Sequence, residues 1–367
     1  MSGALTELVA KGAQDAYLTG NPEVSFFHQA YKRHTNFAQK PVQIDYTGTA
    51  GNNQQINLKL LNKGDLLGYI WMDMTNIGST VVSQLNTTIF ELYIGGQLVD
   101  RQDGFYMTNL WQKFLVDSSA KGFATNPLPD DSDVQGDYAN AKWLPLHFFF
   151  CDSMCYLPLV ALQYHEVEVR ITFGNSGITF SSPPTFYANY IVLDTTEREA
   201  IVKKEHNLLI EQVQRIVANS PGTTNGANKF DLSYLNHPVK CLLWGDANQG
   251  TLFSSNTVQL YLNGTEVFGS PMPDVFFTQV QGYYHSEFAS ELLKGYGNLN
   301  GGNDLKMYSF ALKANKHQPC GTCNFSRLDN ASLTFNQLNA PTDFYLYAVN
   351  FNIFRIKNGL GGLAFSS

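Results

Sequence analysis

Hydrophobic and polar residues alternate along much of this chain. Val42, Ile44 and Tyr46 take every second position, and so do Ile56, Leu58 and Leu60. In the stretch 167–173, Val167, Val169, Ile171 and Phe173 share one face, while Glu168, Arg170 and Thr172 share the other. A period of two puts successive side chains on opposite sides of a pleated strand. Each stretch therefore predicts a strand with one face on a core and the other toward solvent or a partner, as antiparallel sheets allow. The second half opens with Leu208, Ile210 and Gln212 in alternation. It closes on Tyr345, Tyr347, Val349, Phe351 and Ile353 along one face.

Helical spacing is rarer. Leu5, Leu8 and Val9 fall on one face of a short N-terminal helix, and Gly20-Asn21-Pro22 breaks the chain after it. Phe27 and Tyr31 are at helical spacing. Between Asp103 and Asp117 the pairs Leu110 with Phe114 and Trp111 with Leu115 predict the best helix of the first half. Thr196, with Glu199 three residues on, fits a capping box and predicts a linker helix over 196–205.

The chain also repeats itself. Phe90-Glu91-Leu92-Tyr93-Ile94-Gly95-Gly96 is matched by Val258-Gln259-Leu260-Tyr261-Leu262-Asn263-Gly264, each a strand, a tight turn and a return strand. A hydrophobic patch follows each copy, Phe105-Tyr106 in one and Phe276-Phe277 in the other. Tyr190-Ile191-Val192 echoes Tyr347-Ala348-Val349, and the stretch 170–173 echoes 332–335. With 367 residues, about 150 per domain gives two domains. The expected layout is an N-terminal arm (1–24), a first β domain (25–195), the linker helix (196–205) and a second β domain (206–367). Short strands with frequent turn signals, among them those at 220–226 and the Gly-rich stretch 295–302, suggest an all-β sandwich or jelly roll.

Composition narrows the function classes. Hydrophobic residues make up 44% and charged residues 15%, so neutral polar groups or neighbouring molecules must cover much of the surface. The net charge of −7 argues against binding to phosphate backbones, and the basic stretch Tyr31-Lys32-Arg33-His34 reads as a solvated face. Five Cys and no secretory signal at the start point to a reducing compartment. The most apolar stretch, 144–162, contains His147, Asp152 and two prolines, which excludes a membrane span.

Candidate chemistry is sparse. His165 and Glu166 are adjacent on a strand and point to opposite faces, so they do not act on one substrate. His317, Cys320 and Cys323 have the spacing H-x2-C-x2-C, a weak zinc candidate whose fourth ligand would have to be Cys241. Cys151 and Cys155 read as core or interface thiols. The acidic cluster at 130–133 and Asp137 lacks the rest of a calcium loop. Sequons occur at Asn86, Asn263, Asn324 and Asn330, and Asn263 has a conformational reason to sit in a hairpin turn. No phosphate-loop, nucleophile-elbow or HExxH motif is present, so no cofactor and no catalysis are expected. A lectin-like attachment protein would need exposed aromatics on loop tips, whereas Trp71, Trp111, Trp143 and Trp244 lie in apolar surroundings.

Six blocks carry a family resemblance: 12–22 (GAQDAYLTGNP), 157–167 (LPLVALQYHEV), 193–198 (LDTTER), 236–240 (NHPVK), 317–327 (HQPCGTCNFSR) and 359–364 (GLGGLA). In this order they resemble the major capsid proteins of large nucleocytoplasmic DNA viruses, particularly the algal-virus branch, over essentially the whole chain. The resemblance implies two tandem eight-stranded antiparallel jelly rolls with a few short helices in loops. It implies a homotrimer whose six jelly rolls make a pseudo-hexagonal capsomer of an icosahedral virion, made and assembled in the host cytoplasm. It also implies minor capsid proteins as partners on the inner face, near the N-terminal arm, and no direct nucleic acid. A paralogous or minor capsid protein at special lattice positions remains the alternative. The chain is shorter than typical members, and the shortening is expected in loops between strands, where the family carries towers and glycans.

Overall fold

A computed structural model describes residues 3–74, 85–117, 143–151, 155–175, 177–178, 180, 182–219, 228–246, 257–286, 305–336 and 343–366. The acidic cluster at 130–137, the turn signals at 220–226 and the Gly-rich stretch 295–302 lie outside these residues.

Residues 1–36 form a unit of their own. It contains helix α1 (Gly3–Val9) and the single turn α2 (Ala16–Thr19), with Leu5, Leu8, Val9, Tyr17 and Leu18 exposed. The helical turn expected at Phe27 and Tyr31 does not form. The chain makes only a turn there, with the His28 N–H on the Ser25 carbonyl at 3.3 Å. So short a segment makes too few bonds to offset helix nucleation.

The second unit, residues 37–367, is built on strands. Its first half holds β1 (Phe37–Ile44), β2 (Gln55–Leu60), β3 (Leu66–Asp73), β4 (Ile89–Ile94), β5 (Gln97–Asp103), β6 (Trp143–Pro145), β7 (Val167–Thr172) and β8 (Thr185–Leu193). They form two antiparallel sheets in the orders β1-β8-β3-β6 and β2-β7-β4-β5. Its second half holds β9 (His206–Asn219), β10 (Asn228–Asp231), β11 (Pro238–Asp246), β12 (Thr257–Leu262), β13 (Thr265–Glu266), β14 (Lys306–Ser309), β15 (Ala331–Asn336) and β16 (Asp343–Lys357). Their sheets run β9-β16-β11-β14 and β10-β15-β12-β13, the same order with every label raised by eight. Each half is a jelly roll, and short flanking strands such as Leu360–Leu363 extend the sheets.

A helix sits at the same place in each roll. Helix α3 (Tyr106–Leu115) follows β5, and after β13 comes α5, Phe276–Val280 running into Gln281–His285. Between the rolls lies α4 (Thr195–Lys203). It starts one residue before the expected Thr196 cap, because Asp194 is already extended at φ −63°, ψ 150° and takes the cap position without a side-chain bond. Arg198 pins this helix to Asp65 at 2.9 Å.

The pairing fixes how the repeats correspond and corrects three of the sequence echoes. Ala188 lies opposite Ile70 with a slip directly beyond, Ala348 lies opposite Leu242 with a slip one pair further on, after Val349, and both alanines face the core of their own roll. Tyr187, not Tyr190, is therefore the counterpart of Tyr347; a shift of three would have put the ring on the other face. Leu92 faces Val169 and Leu260 faces Leu333, so the echo of Ile171 in Leu333 is off by two, a shift that keeps the face and so escapes notice. Ile89 pairs with Asp103 and Thr257 with Pro273, which makes Val275 the counterpart of Phe105.

Two hydrophobic cores result. One fills the second roll around Leu242, Trp244, Leu260, Phe277, Leu333 and Phe335. The other fills the first roll and continues onto Cys241, Leu243, Leu305, Met307, Tyr347 and Val349 of the second. Sheet β9-β16-β11-β14 is thus buried on both faces, which explains the unbroken apolar run Cys241-Leu242-Leu243-Trp244 in β11.

Candidate functional site

The described residues singled out for chemistry are not gathered into one place. His165 Nδ1 accepts the Gly361 N–H at 3.1 Å, and its ring lies against the Gly95 turn. Glu166 turns away to Lys59 at 3.4 Å. Cys320 Sγ bonds locally to the backbone of Lys313, and Cys323 sits in a short strand beside Val239. Cys241 is buried against the first roll. Among the described residues, no group of three or more His, Cys, Asp or Glu could hold a metal ion.

His317 takes part in a different arrangement. Its Nε2 is 3.0 Å from the Leu209 carbonyl and its Nδ1 3.6 Å from Glu211. Bonds to Cys155 and Glu211 push its pKa up to about 10. Burial would raise Glu211, but Lys240 at 2.5 Å and His317 outweigh it and hold the carboxyl below its ordinary range. Cys155 belongs to the first roll and the rest to the second, so this polar set bridges the two.

Each sequon asparagine takes part in local hydrogen bonding, Asn330 through its backbone N–H and carbonyl to Asn263. Asn86 is buried, and its Oδ1 accepts from Thr108 and Asn109, both at 3.3 Å. Asn263 holds φ 50° in the hairpin turn and accepts the N–H groups of Asp329 and Asn330. The Asn324 side chain caps a short turn through the Ser326 N–H at 3.1 Å. Asn330 is exposed.

What the sequence reading missed is the contact between the rolls. β5 and α3 of the first roll lie against the outer face of sheet β9-β16-β11-β14. Asp103 caps α3 through the Tyr106 N–H at 2.9 Å and meets Arg215 of β9 at 2.8 Å. The Tyr347 hydroxyl donates to the same carboxylate at 2.7 and 2.9 Å. Burial raises the pKa of Asp103 against the bonds from Tyr106, Tyr347 and Arg215. Asp100 accepts the Val213 N–H at 3.0 Å, and burial pushes its pKa up to about 7. Lys113 Nζ donates to the Leu305 carbonyl at 3.2 Å. Phe105 packs on Tyr345 and Tyr347, each with ring centroids 6.2 Å apart. This is a head-to-tail contact: the helix side of one roll meets the sheet side of the next.

The tryptophans correct another expectation. Trp244 is wholly buried, but Trp143 is 37% exposed and Trp71 half-buried, both on the outer face of sheet β1-β8-β3-β6. Trp71 stacks on Tyr187 at 4.6 Å and meets Trp143 edge-on at 6.4 Å. An arrangement of this kind, with no convergent acid–base set among the described residues and an aromatic sheet face, is suited to binding another protein surface.

Comparison with known proteins bears on what that surface serves. Residues 25–202 match the family described as major capsid protein N-terminus, and residues 248–362 match the large eukaryotic DNA virus major capsid protein family. The chain is 33% identical to a major capsid protein of Pyramimonas orientalis virus and 30% identical to one of Paramecium bursaria Chlorella virus 1, covering 100% of both partners in each case. Those alignments run over 412 and 441 residues against 367 here, so these relatives carry residues that this chain lacks. In structure it is similar to the protein in a quasi-atomic model of the PBCV-1 virus capsid, with a TM-score of 0.77 at 26% identity, covering 94% of this chain and 100% of that one. The Faustovirus major capsid protein shares the fold at a TM-score of 0.67 and 12% identity.

Proposed function

Because this chain belongs to the major capsid proteins of large eukaryotic DNA viruses, we propose that it works as a shell-building homotrimer. Three chains would set six similar jelly rolls around one axis and so fill a hexagonal place in an icosahedral lattice. The observation that supports this most is the strand-for-strand repeat of sheet order within one chain. Two like rolls joined head to tail supply the pseudo-sixfold unit that three chains complete.

The same reading gives the chain a structural role without catalysis, in the virion shell, after assembly in the host cytoplasm. Its neighbours are other copies of itself. The N-terminal arm (1–24), with its exposed Leu8, Val9, Tyr17 and Leu18, would meet minor capsid proteins on the inner face. Light scattering of the purified protein tests the central claim. A mass near three times 40.9 kDa is expected, and a monomer at every concentration would overturn it.

A further inference from the structure

The two rolls touch through a contact that the chain uses once and leaves half-open twice. In the contact inside the chain, Phe105 and α3 cover Leu243, Leu305, Met307 and Tyr347, all at most 1% exposed. The strand pairing names the counterpart of each covered residue on the first roll. Trp71 faces Pro145 and Tyr187, as Leu243 faces Met307 and Tyr347. Asp73 pairs with Trp143, one step beyond the Trp244–Lys306 pair, which puts Trp143 at the place of Leu305. These counterparts are not covered: Trp143 is 37% exposed, while Trp71, Pro145 and Tyr187 are half-buried. The covering side is left over as well. Val275, counterpart of Phe105, is 48% exposed, and Tyr283 and Tyr284 on α5 are 74% and 64% exposed.

We propose that α5 of one copy seats on the Trp71–Tyr187–Trp143 face of the next copy, as α3 seats on the second roll within the chain. The partner is a second copy of this chain, because both halves of the contact are present on it and the template for joining them is its own internal interface. Both faces are apolar and aromatic, with hydroxyls that can find partners across a seam, as interface cores are. The contact is heterologous, so it closes into a ring or runs on as a filament. This proposal rests on the trimer reading and adds the seam to it.

Cysteine cross-linking tests it. Phe105 and Tyr345, 6.2 Å apart between ring centroids, correspond to Val275 and Thr185. A chain carrying both Val275→Cys and Thr185→Cys is expected to form covalent dimers and trimers on mild oxidation. Each single variant and the parent, with its five cysteines, should give no such ladder. A second variant, Tyr284→Asp, alters a ring that is 64% exposed and should leave the near-ultraviolet circular dichroism of the fold unchanged. It should weaken trimerisation by more than ~tenfold, as loss of an aromatic anchor does. A stable trimer without the 185–275 ladder, or unaffected by Tyr284→Asp, overturns the seam and spares the trimer reading. A parent that stays monomeric overturns both.

Discussion

Replacing Asp103 by Ala should loosen the joint between the rolls more than it disturbs either roll. Three things are lost. The cap on α3 through the Tyr106 N–H contributes about 1 kcal/mol. The Tyr347 hydroxyl, on a side chain 1% exposed, loses its acceptor, which costs about 1–3 kcal/mol. Arg215 is 32% exposed and turns to water, so its share is small. The sum is about 2–4 kcal/mol. Asp103→Asn keeps an acceptor and removes a charge that burial already disfavours, so it should cost only about 1 kcal/mol. Guanidinium unfolding, followed by tryptophan fluorescence, measures both. In a double-mutant cycle, Asp103→Ala with Tyr347→Phe should recover about 1–2 kcal/mol, because the second change removes the stranded hydroxyl. Additivity within about 0.3 kcal/mol, or equal costs for Ala and Asn, would refute this account of the joint.

Two further outcomes follow from the geometry. His317 has a folded pKa of about 10, raised by Cys155 and Glu211 above an unfolded value near 6.5. Its stabilisation is full below about pH 6.5 and is lost as pH rises toward about 10, so thermal midpoints should decline across that window, and His317→Gln should flatten the decline. Gly95→Ala should destabilise more than Gly96→Ala. Both residues have positive φ, but a Cβ on Gly95 would lie 2.3 Å from His165 Nδ1, while one on Gly96 meets nothing. Equal melting shifts for the two would show that the His165 contact yields without cost.

Much of the fold is legible because strands write themselves into sequence at a period of two. The alternations at 56–60 and 167–173 become β2 and β7, paired with one another. The repeat is legible too, since the matched hairpins become β4–β5 and β12–β13 at the same place in each sheet order. Its register is not, because matching by residue identity ignores which face a side chain takes. Tyr190 resembles Tyr347 by neighbours, but the strand pairing and the core-facing Ala188 and Ala348 show that Tyr187 is the true counterpart. The joint is hidden for another reason. Asp103 and its partners Arg215 and Tyr347 are 112 and 244 residues apart, and no local pattern links them. The spacing of His317, Cys320 and Cys323 suggested a site, yet spacing along a loop does not set direction. The ring turns to Glu211 while Cys320 bonds its own loop.

The differences between the rolls are as informative as their likeness. Where the second roll is covered from within the chain, the outer face carries Leu243, Leu305 and Met307, which fill a permanent core. At the corresponding places the first roll carries Trp71, Trp143 and Pro145. A face that remains in water until a partner arrives has a different physical requirement. Stacking Trp71 on Tyr187, with Trp143 edge-on, hides part of each ring in the free chain and leaves flat area for a partner. Aromatic rings also lose little rotamer freedom on docking, so the contact can be specific without being built into the folding of either chain. On the proposed seam, the same sheet position serves folding in one roll and assembly in the other, and the choice of aliphatic or aromatic residue marks which.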